Sequence, residues 1–268
     1  MNEPSSDAGF LSERRGAAVH LTLDRPDALN ALTREMLLGL TRELSRAARE
    51  ASVRAIVLSG AGRAFCAGAD LGRVRERQAR GRFEHGDELR GAFNPLIVAI
   101  RRVEKPVIAA VRGTAAGAGA SLALACDLKI CASDAKFINA FAKVGLVPDS
   151  GMSWMLPRAM GLSAALEHAW LSRSIDAEKA LRLGLVNRVV APEDLDAAVV
   201  ELCTALAAVP PLAVALTKRA FNRGLESSSL EDQLEYEAQL QSHLGRTKDH
   251  AEGVAAFLEK RPPAFRGE

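Results

Sequence analysis

The chain has 268 residues, enough for one large domain or for a core with a small appendage. Its charge is nearly balanced, with 35 basic against 33 acidic residues, and only 4% of its residues are aromatic. This composition argues against a nucleic-acid-binding protein, which usually has a concentrated basic excess and aromatic side chains on which bases stack. Hydrophobic residues make up 48% of the chain, so a sizeable core can be buried.

Four cysteines are present, and no pair of them is spaced as CxxC. They are Cys66, Cys126, Cys131 and Cys203. We find no secretory leader pattern and no apolar run of the roughly 18 residues that a membrane span requires. These features predict a reducing, cytoplasmic compartment.

Strands and helices alternate in the first part of the chain. The alternating pattern AAVHLTL predicts a strand over 17–23. Thr33 is a favourable N-cap, and the apolar residues that follow it recur at helical spacing, which predicts a helix from about this position. The run VRAIVLSG (53–60) predicts a buried strand, and the arginine-rich, patternless segment 72–84 predicts a mobile surface loop.

The remaining pattern shifts from mixed to mostly helical. A helix is predicted from about Asp87 to Val103, and further strands are predicted at 106–111, 128–133, 135–139 and 187–191. Apart from the last of these strands, everything after about Ser150 is predicted to be mostly helical. The whole pattern indicates an α/β core with a helical C-terminal part.

Two turns of small residues follow predicted strands, GRAFCAGAD (62–70) and GTAAGAGAS (113–121). Glycine lets a ligand approach backbone N–H groups, and a helix that begins just beyond favours negative charge. Two such turns facing one pocket would form an oxyanion hole. The alternative is that the glycines serve only tight helix–strand packing. The spacing differs from G-x-G-x-x-G, which disfavours a dinucleotide-binding loop.

These motifs resemble the crotonase (enoyl-CoA hydratase/isomerase) superfamily over nearly the whole chain. The resemblance rests on LDRPDALNAL (23–32), AFCAGADL (64–71), KPVIAAVRGTAAGAGASLALACDL (105–128) and GLVPDSG (145–151). It implies an α/β fold, with a crotonase-like spiral of ββα units over 1–200 and a helical C-terminal trimerisation region over 201–268. It also implies an acyl-coenzyme A thioester as ligand, and copies of the same chain as partners in a trimer or a dimer of trimers.

Site residues follow from the resemblance position by position. The oxyanion donors fall on the backbone N–H groups of Ala69 and Ala118. The other positions implied to contact the coenzyme A thioester are Arg25, Ala28, Ala67, Gly68, Asp70, Leu71, Gly117, Phe141, Val144, Phe257 and Lys260. Arg25 is expected near the coenzyme A phosphates, the alternative being a solvated turn residue. Phe257 and Lys260 resemble the C-terminal helix that reaches coenzyme A, often on a neighbouring subunit.

The departures from the family pattern concern the acids. The hydratases of the family hold water with two glutamates, whose positions are Ser121 and Phe141 in this chain. Hydration needs one group to deprotonate water and one to protonate the α-carbon, so ordinary hydratase chemistry is disfavoured. Asp149 lies a few residues beyond, where isomerases and dehalogenases of the superfamily carry an aspartate. Its alternative role is to N-cap a helix beginning near Ser150.

The implied reaction is isomerisation of an acyl-CoA with Asp149 as acid and base. The resemblance is greatest to members that convert 2-(1,2-epoxyphenyl)acetyl-CoA to its oxepin in phenylacetate degradation, or a 3-enoyl-CoA to a 2-enoyl-CoA. We expect no metal or redox cofactor, because the histidines are isolated and lack metal-ligand spacing. The alternatives are a hydratase that uses Asp149 alone, a dehalogenase with His85 as base, and a non-catalytic acyl-CoA-binding protein.

Overall fold

The structure is a computed structural model that describes residues 9–81 and 83–268. Its strands, in chain order, are β1 (Phe10–Arg15), β2 (Ala18–Leu23), β3 (Ala55–Gly60), β4 (Ala64–Cys66), β5 (Val107–Val111), β6 (Thr114–Ala116), β7 (Leu128–Ala132), β8 (Lys136–Ile138), β9 (Ser174–Asp176) and β10 (Arg188–Val190).

The helices lie between and after these strands. They are α1 (Arg34–Arg49), α2 (Leu71–Ala79), α3 (His85–Glu88), α4 (Asn94–Arg102), α5 (Ala118–Ala125), α6 (Met152–Met160), α7 (Leu162–Leu171), α8 (Ala177–Arg182), α9 (Leu195–Ala207), α10 (Pro211–Gly224), α11 (Leu230–Leu244) and α12 (Lys248–Glu259). A π-helical turn, Leu89–Phe93, joins α3 to α4.

The strands form two sheets that are built from the same repeating unit. The larger sheet has the order β1-β2-β3-β5-β7-β10, antiparallel between β1 and β2 and parallel elsewhere. The smaller sheet has the order β4-β6-β8-β9, antiparallel only between β8 and β9. Each unit gives one strand to each sheet and then a helix, as in β3-β4-α2, β5-β6-α5 and β7-β8-α6. The predicted crotonase-like spiral of ββα units is confirmed.

Side chains of the larger sheet alternate between two apolar layers, as the two-residue period of a strand requires. Val57 faces the layer that contains α9, whereas Ile56 and Leu58 face the main core. The main core includes Met36 and Leu40 of α1, each 1% exposed or less. Full burial of one such side chain stabilises the fold by about 1.5–3 kcal/mol.

The start of α1 agrees with its sequence signal. The Thr33 hydroxyl accepts a hydrogen bond from the Met36 N–H at 3.3 Å, so the predicted N-cap is confirmed. Helix α2 was not predicted from the sequence. The prediction of a mobile loop over 72–84 is wrong, because α2 occupies Leu71–Ala79. Asp70 caps α2 by accepting from the Arg73 N–H, and Arg73 also pairs with Glu35 of α1 at 3.1 Å.

The C-terminal helices are anchored to the core by a partly buried cation. The Lys218 ammonium of α10 donates to the Asp127 carboxylate at 2.6 Å and to the carbonyl oxygen of Ile100 at 2.9 Å. The region boundary predicted at residue 200 falls inside α9, and the division into two regions stays a prediction. Within the described residues no single helix is long and apolar enough to span a membrane; only the bent pair Pro192–Ala207 and Pro211–Gly224 together reaches that length and composition.

Candidate active site

The first turn, residues 66–70, is held by the segment that precedes α1. The Ala67 N–H donates to the Leu29 carbonyl oxygen at 2.9 Å. The Leu32 N–H in turn donates to the Gly68 carbonyl oxygen at 2.7 Å. We call residues 23–32, LDRPDALNAL, the template segment, because their backbone hydrogen bonds hold the turn after β4 in place.

Ala69 lies at the centre of this turn and pairs with Leu32 as an isolated parallel bridge. The Asp70 N–H donates to the Leu32 carbonyl oxygen at 3.0 Å, so the groups on both sides of Ala69 face Leu32. In a parallel bridge the N–H of the residue between them faces the opposite way. Among residues 9–81 and 83–268, no acceptor lies within hydrogen-bond distance of the Ala69 N–H.

The Asn30 side chain connects the template segment to the backbone before and at the start of β4. Its side-chain N–H₂ donates to the carbonyl oxygens of Ala61 and Ala64 at 2.9 and 2.8 Å, and its side-chain oxygen accepts from the Arg25 N–H at 2.9 Å. Its own carbonyl oxygen accepts from the Cys66 thiol at 3.2 Å. The backbone of Asn30 has φ 57°, in the left-handed region that asparagine tolerates. The role of Asn30 was not predicted from the sequence.

The second turn places Ala118 at the N-terminus of α5. Gly117 has φ 50° and ψ −126°, a conformation that residues with a side chain avoid, and its N–H donates to the Ile138 carbonyl oxygen at 2.9 Å. The Ala118 N–H has no acceptor within the described parts of the chain, as expected for the first residue of a helix. Both this N–H and the helix dipole favour an anion here.

The two turns lie against each other. A Cβ atom built on Gly68 would lie 2.8 Å from the Ala116 carbonyl oxygen and 3.4 Å from the Ala118 nitrogen. A Cβ atom built on Gly119 would lie 2.3 Å from the Cys66 carbonyl oxygen. Close packing thus explains Gly68 and Gly119, whereas Gly117 has open space and is required by its dihedral angles. The packing role and the ligand role of these glycines coexist.

Asp149 lies beside α5. The Ser121 hydroxyl donates to the Asp149 carbonyl oxygen at 3.0 Å, which brings Asp149 to the first turn of the helix that Ala118 begins. Ser150 and Gly151 follow with φ 52° and 79°, and α6 begins only at Met152, with Gly151 as its N-cap. The alternative in which the Asp149 side chain N-caps a helix beginning near Ser150 is therefore wrong.

The Asp149 carboxyl group is in a poorly solvated place. Burial raises its pKa above the ordinary value, although the Ser150 hydroxyl, 2.8 Å from Oδ1, and the charge of His85 act in the opposite direction. By contrast, burial raises the pKa of the Cys66 thiol to about 12, so this thiol stays protonated and does not act as a nucleophile.

The sequence of this chain matches a known family over nearly its whole length. The family model for enoyl-CoA hydratase/isomerase matches residues 13–268. The chain belongs to the enoyl-CoA hydratase/isomerase family. It is 48% identical, over 94% of its length and 95% of the relative, to a probable enoyl-CoA hydratase of Rhodobacter capsulatus. It is 40% identical, over 97% and 98%, to the 1,2-epoxyphenylacetyl-CoA isomerase of Escherichia coli.

Solved structures of this family have the same fold. A putative enoyl-CoA hydratase/isomerase from Mycobacterium abscessus superimposes with a TM-score of 0.92 at 36% identity, covering 97% of this chain and 100% of that one. An enoyl-CoA hydratase from Polaromonas superimposes with a TM-score of 0.91 at 36% identity, covering 96% and 99%.

The two positions at which the resemblance implies hydratase glutamates are buried in this chain. Ser121 is fully buried, and its hydroxyl is engaged by the Asp149 backbone. Phe141 is buried in the main core, in the single helical turn Phe141–Val144 that follows β8. Val144 is 53% exposed, and substrate contacts of both Phe141 and Val144 stay predictions.

The Arg25 side chain forms hydrogen bonds with the first turn and with the segment before α1. Its guanidinium donates to the Asp70 carboxylate at 2.9 Å and to the Ala31 carbonyl oxygen at 2.6 Å. Burial alone would raise the pKa of Asp70, but the Arg73 N–H and the Arg25 guanidinium hold it below its ordinary value. Leu71 is exposed and Ala28 is half-buried. Contact of these residues with coenzyme A stays a prediction.

A cavity of about 150 Å³ lies beside the first turn, under α2 and the segment before α3. Ala69 and Leu32 form one wall, and Val74, Phe83 and Phe93 supply apolar surface. Charged and polar side chains supply most of the remaining lining, and neither Ala118 nor Asp149 is among the lining residues.

Phe257 and Lys260 lie at the C-terminal end of α12. The Phe257 side chain is 82% exposed, and Lys260 ends the helix in the left-handed conformation with φ 54°. Neither residue is among those that line the cavity beside Ala69. Contact of Phe257 and Lys260 with coenzyme A, often on a neighbouring subunit in the family that the chain resembles, stays a prediction.

Proposed function

We propose that this chain is an acyl-CoA isomerase, in which the N–H groups of Ala69 and Ala118 stabilise an enolate and Asp149 moves the proton. The observation on which the proposal rests is the desolvated Asp149 carboxyl group beside a pair of unpaired N–H groups, in a site whose two hydratase acid positions hold Ser121 and Phe141.

The chemistry starts with a proton that is only weakly acidic, on the carbon next to the thioester. As a carboxylate removes it, charge develops on the thioester oxygen, where a preorganised N–H donor is worth roughly 3–4 kcal/mol. Asp149 takes the proton from C2 of a 3-enoyl-CoA, and the electron pair becomes a dienolate. Asp149 then returns the proton to C4, which leaves the 2-enoyl-CoA. The reaction requires no metal or redox cofactor.

A desolvated carboxylate suits this task. Its raised pKa makes Asp149 a stronger base than an exposed aspartate. One group suffices, because an isomerisation returns the same proton, whereas hydration consumes a water that must be held and deprotonated. Buried Ser121 and Phe141 offer no carboxylate for that water.

An aromatic epoxide is the second substrate that we propose. The relative from Escherichia coli is named 1,2-epoxyphenylacetyl-CoA isomerase and is 40% identical over most of both chains. On this substrate Asp149 would assist opening of the epoxide ring while the same N–H groups hold the thioester oxygen.

A hydratase is the competing function, since the relative from Rhodobacter capsulatus, 48% identical, is named a probable enoyl-CoA hydratase. Such an enzyme would use Asp149 alone to activate water. Non-catalytic acyl-CoA binding is the other alternative, and the presence of Asp149 argues against it.

The test compares three substrates with the purified protein: 3-hexenoyl-CoA, 1,2-epoxyphenylacetyl-CoA and crotonyl-CoA. We expect a conjugated thioester from the first or an oxepin thioester from the second, with much slower hydration of the third. In Asp149→Asn the isomerisation should fall by roughly 10²–10⁴-fold. Asp196→Asn is the matched control, because Asp196 is exposed on α9, across the larger sheet from the site. Hydration faster than both isomerisations would overturn the proposal.

The same proposal includes a homotrimer or a dimer of trimers. Several large apolar side chains on α10, α11 and α12 are exposed in the single chain, among them Phe221 at 73%, Leu230 at 68% and Phe257 at 82%. Large exposed apolar surfaces often mark contacts between proteins, and these side chains would be covered in an oligomer. Light scattering after size-exclusion chromatography checks the proposal, and a monomer at micromolar concentration would refute it.

A further inference from the structure

Ser121 joins the two halves of the proposed site. It is the fourth residue of α5, in the first turn of the helix that begins at Ala118, and its side chain is fully buried. Two carbonyl oxygens lie near its hydroxyl, that of Asp149 at 3.0 Å and that of Gly117 at 3.4 Å. Because a hydroxyl has a single proton to donate, the shorter contact is the hydrogen bond.

The segment that receives this bond contains a residue in an unfavourable backbone conformation. After Asp149 the backbone passes through Ser150 and Gly151, both in the left-handed region, with φ 52° and 79°. Ser150, unlike Gly151, adopts this conformation at a cost in free energy, so surrounding contacts help to maintain it. The Met152 N–H, which donates to the Asp149 carbonyl oxygen at 3.0 Å, belongs to the same segment and turns with it.

The bond from Ser121 is therefore a polar contact between this segment and the helix carrying the second oxyanion donor, next to the apolar packing of α6 on α5. A displacement of Asp149 would change the distance from its carboxyl group to a thioester held at Ala118. Misplacement of a catalytic group by about 1 Å can cost on the order of 10²-fold in rate.

From this geometry we infer that Ser121 is a positioning residue, whose hydroxyl fixes the Asp149 turn relative to the oxyanion donor Ala118. The inference rests on the proposed function for its catalytic consequence. At this position the resemblance implies, for the hydratases of the family, an acid that acts on water. In this chain the same position holds a hydroxyl that donates to a backbone carbonyl oxygen. Ser121 itself does not contact the reacting atoms.

The experiment uses Ser121→Ala and Ser121→Cys. The first removes the donor without adding volume, and the second keeps a weaker donor of similar size. We expect kcat of Ser121→Ala to fall about tenfold with KM nearly unchanged, and Ser121→Cys to recover part of the loss. Cys126→Ala is the matched control, since Cys126 is buried at the end of the same helix and its thiol bonds only to the Leu122 carbonyl oxygen.

Two further readouts separate positioning from a general structural role. Binding of acetoacetyl-CoA, whose enolate places charge on the thioester oxygen, reports on the oxyanion donors alone and should stay within about twofold of the wild type in Ser121→Ala. The Asp149 carboxyl group is followed by ¹³C NMR, with its resonance assigned by comparison with Asp149→Asn. Its titration should move to lower pH in Ser121→Ala, because the released turn admits water.

The inference is overturned if Ser121→Ala has the wild-type kcat and the wild-type Asp149 titration. It is also overturned if acetoacetyl-CoA affinity falls as much as kcat, since Ser121 would then support the whole pocket. A wild-type protein that isomerises none of the acyl-CoA substrates refutes the proposed function. In that case the Asp149 titration alone decides the role of Ser121.

Discussion

Arg25 and Asp70 form an ion pair across the first turn, with Nη2 of the guanidinium 2.9 Å from Oδ2 of the carboxylate. The side chains are 26% and 17% exposed, so water screens the pair only partly. Asp70 also caps α2, and its own N–H is bound by Leu32. The pair thus ties the template segment, the turn with Ala69 and the start of α2 together.

Breaking this pair should disturb the turn from either side. We expect Arg25→Met and Asp70→Asn each to lower kcat/KM, and the double variant to lose less than the sum, with a coupling free energy of about 1 kcal/mol. Steady-state kinetics of the four proteins with 3-hexenoyl-CoA provide the measurement. If Arg25 instead binds the coenzyme A phosphates, Arg25→Met will raise KM by the same factor in the Asp70→Asn background.

The pH dependence of the proposed isomerase should report the solvation of Asp149. The base must be ionised, so kcat/KM should rise with pH through the Asp149 pKa, which burial places above the ordinary value of about 3.9. The charge of His85 lowers this pKa, so His85→Gln should move the acid limb to higher pH. A limb that is unchanged in His85→Gln would show that His85 does not act on Asp149.

The same desolvation has a consequence for stability. Because the Asp149 pKa is raised in the folded protein, the folded form binds this proton more tightly than the unfolded chain does. The resulting stability is fully present below the unfolded pKa and is lost as pH rises through the folded pKa. We therefore expect Asp149→Asn to have a higher Tm than the wild type at pH 7, with a difference that shrinks as the pH is lowered. A lower Tm for the variant at pH 7 would contradict this.

Strong local patterns made much of the fold predictable. The apolar runs of β2, β3, β5 and β7 lie within the predicted segments, since central parallel strands are buried on both faces. The three-residue strands β4, β6 and β9 were not predicted, because partners distant in sequence fix such short pairings. The arginine-rich α2 lacks an apolar stripe and depends on its Asp70 cap and on ion pairs to α1 and Glu88.

The site was predictable to a different degree. Small residues marked both turns, and the resemblance identified Ala69, Ala118 and Asp149, whose roles stay predictions. The residues that hold the site in place have no comparable pattern in the sequence. Asn30 bonds to residues more than thirty positions away, and only the tertiary structure brings them together. Ser121 could be recognised as a missing acid, but its bond to Asp149 depends on a turn whose left-handed residues the sequence did not indicate.

Gly119 offers the sharpest test of the contact between the two turns. A methyl group at this position would lie 2.3 Å from the Cys66 carbonyl oxygen, a backbone atom that can move only if the first turn moves. Gly119→Ala should therefore separate the Ala69 and Ala118 donors. We expect kcat/KM to fall by about 10²-fold or more, as for loss of one oxyanion donor, and stability to fall by about 1–3 kcal/mol.

Gly224→Ala is the control for this substitution. Gly224 is exposed at the end of α10, and a Cβ atom there would meet only the flexible Gln233 side chain, at 3.5 Å. Its activity should equal that of the wild type, and its stability should change by less than about 0.5 kcal/mol. Urea unfolding measures stability, and acetoacetyl-CoA affinity measures the donors directly. Undiminished enolate binding in Gly119→Ala would mean that the two turns do not act as one oxyanion site.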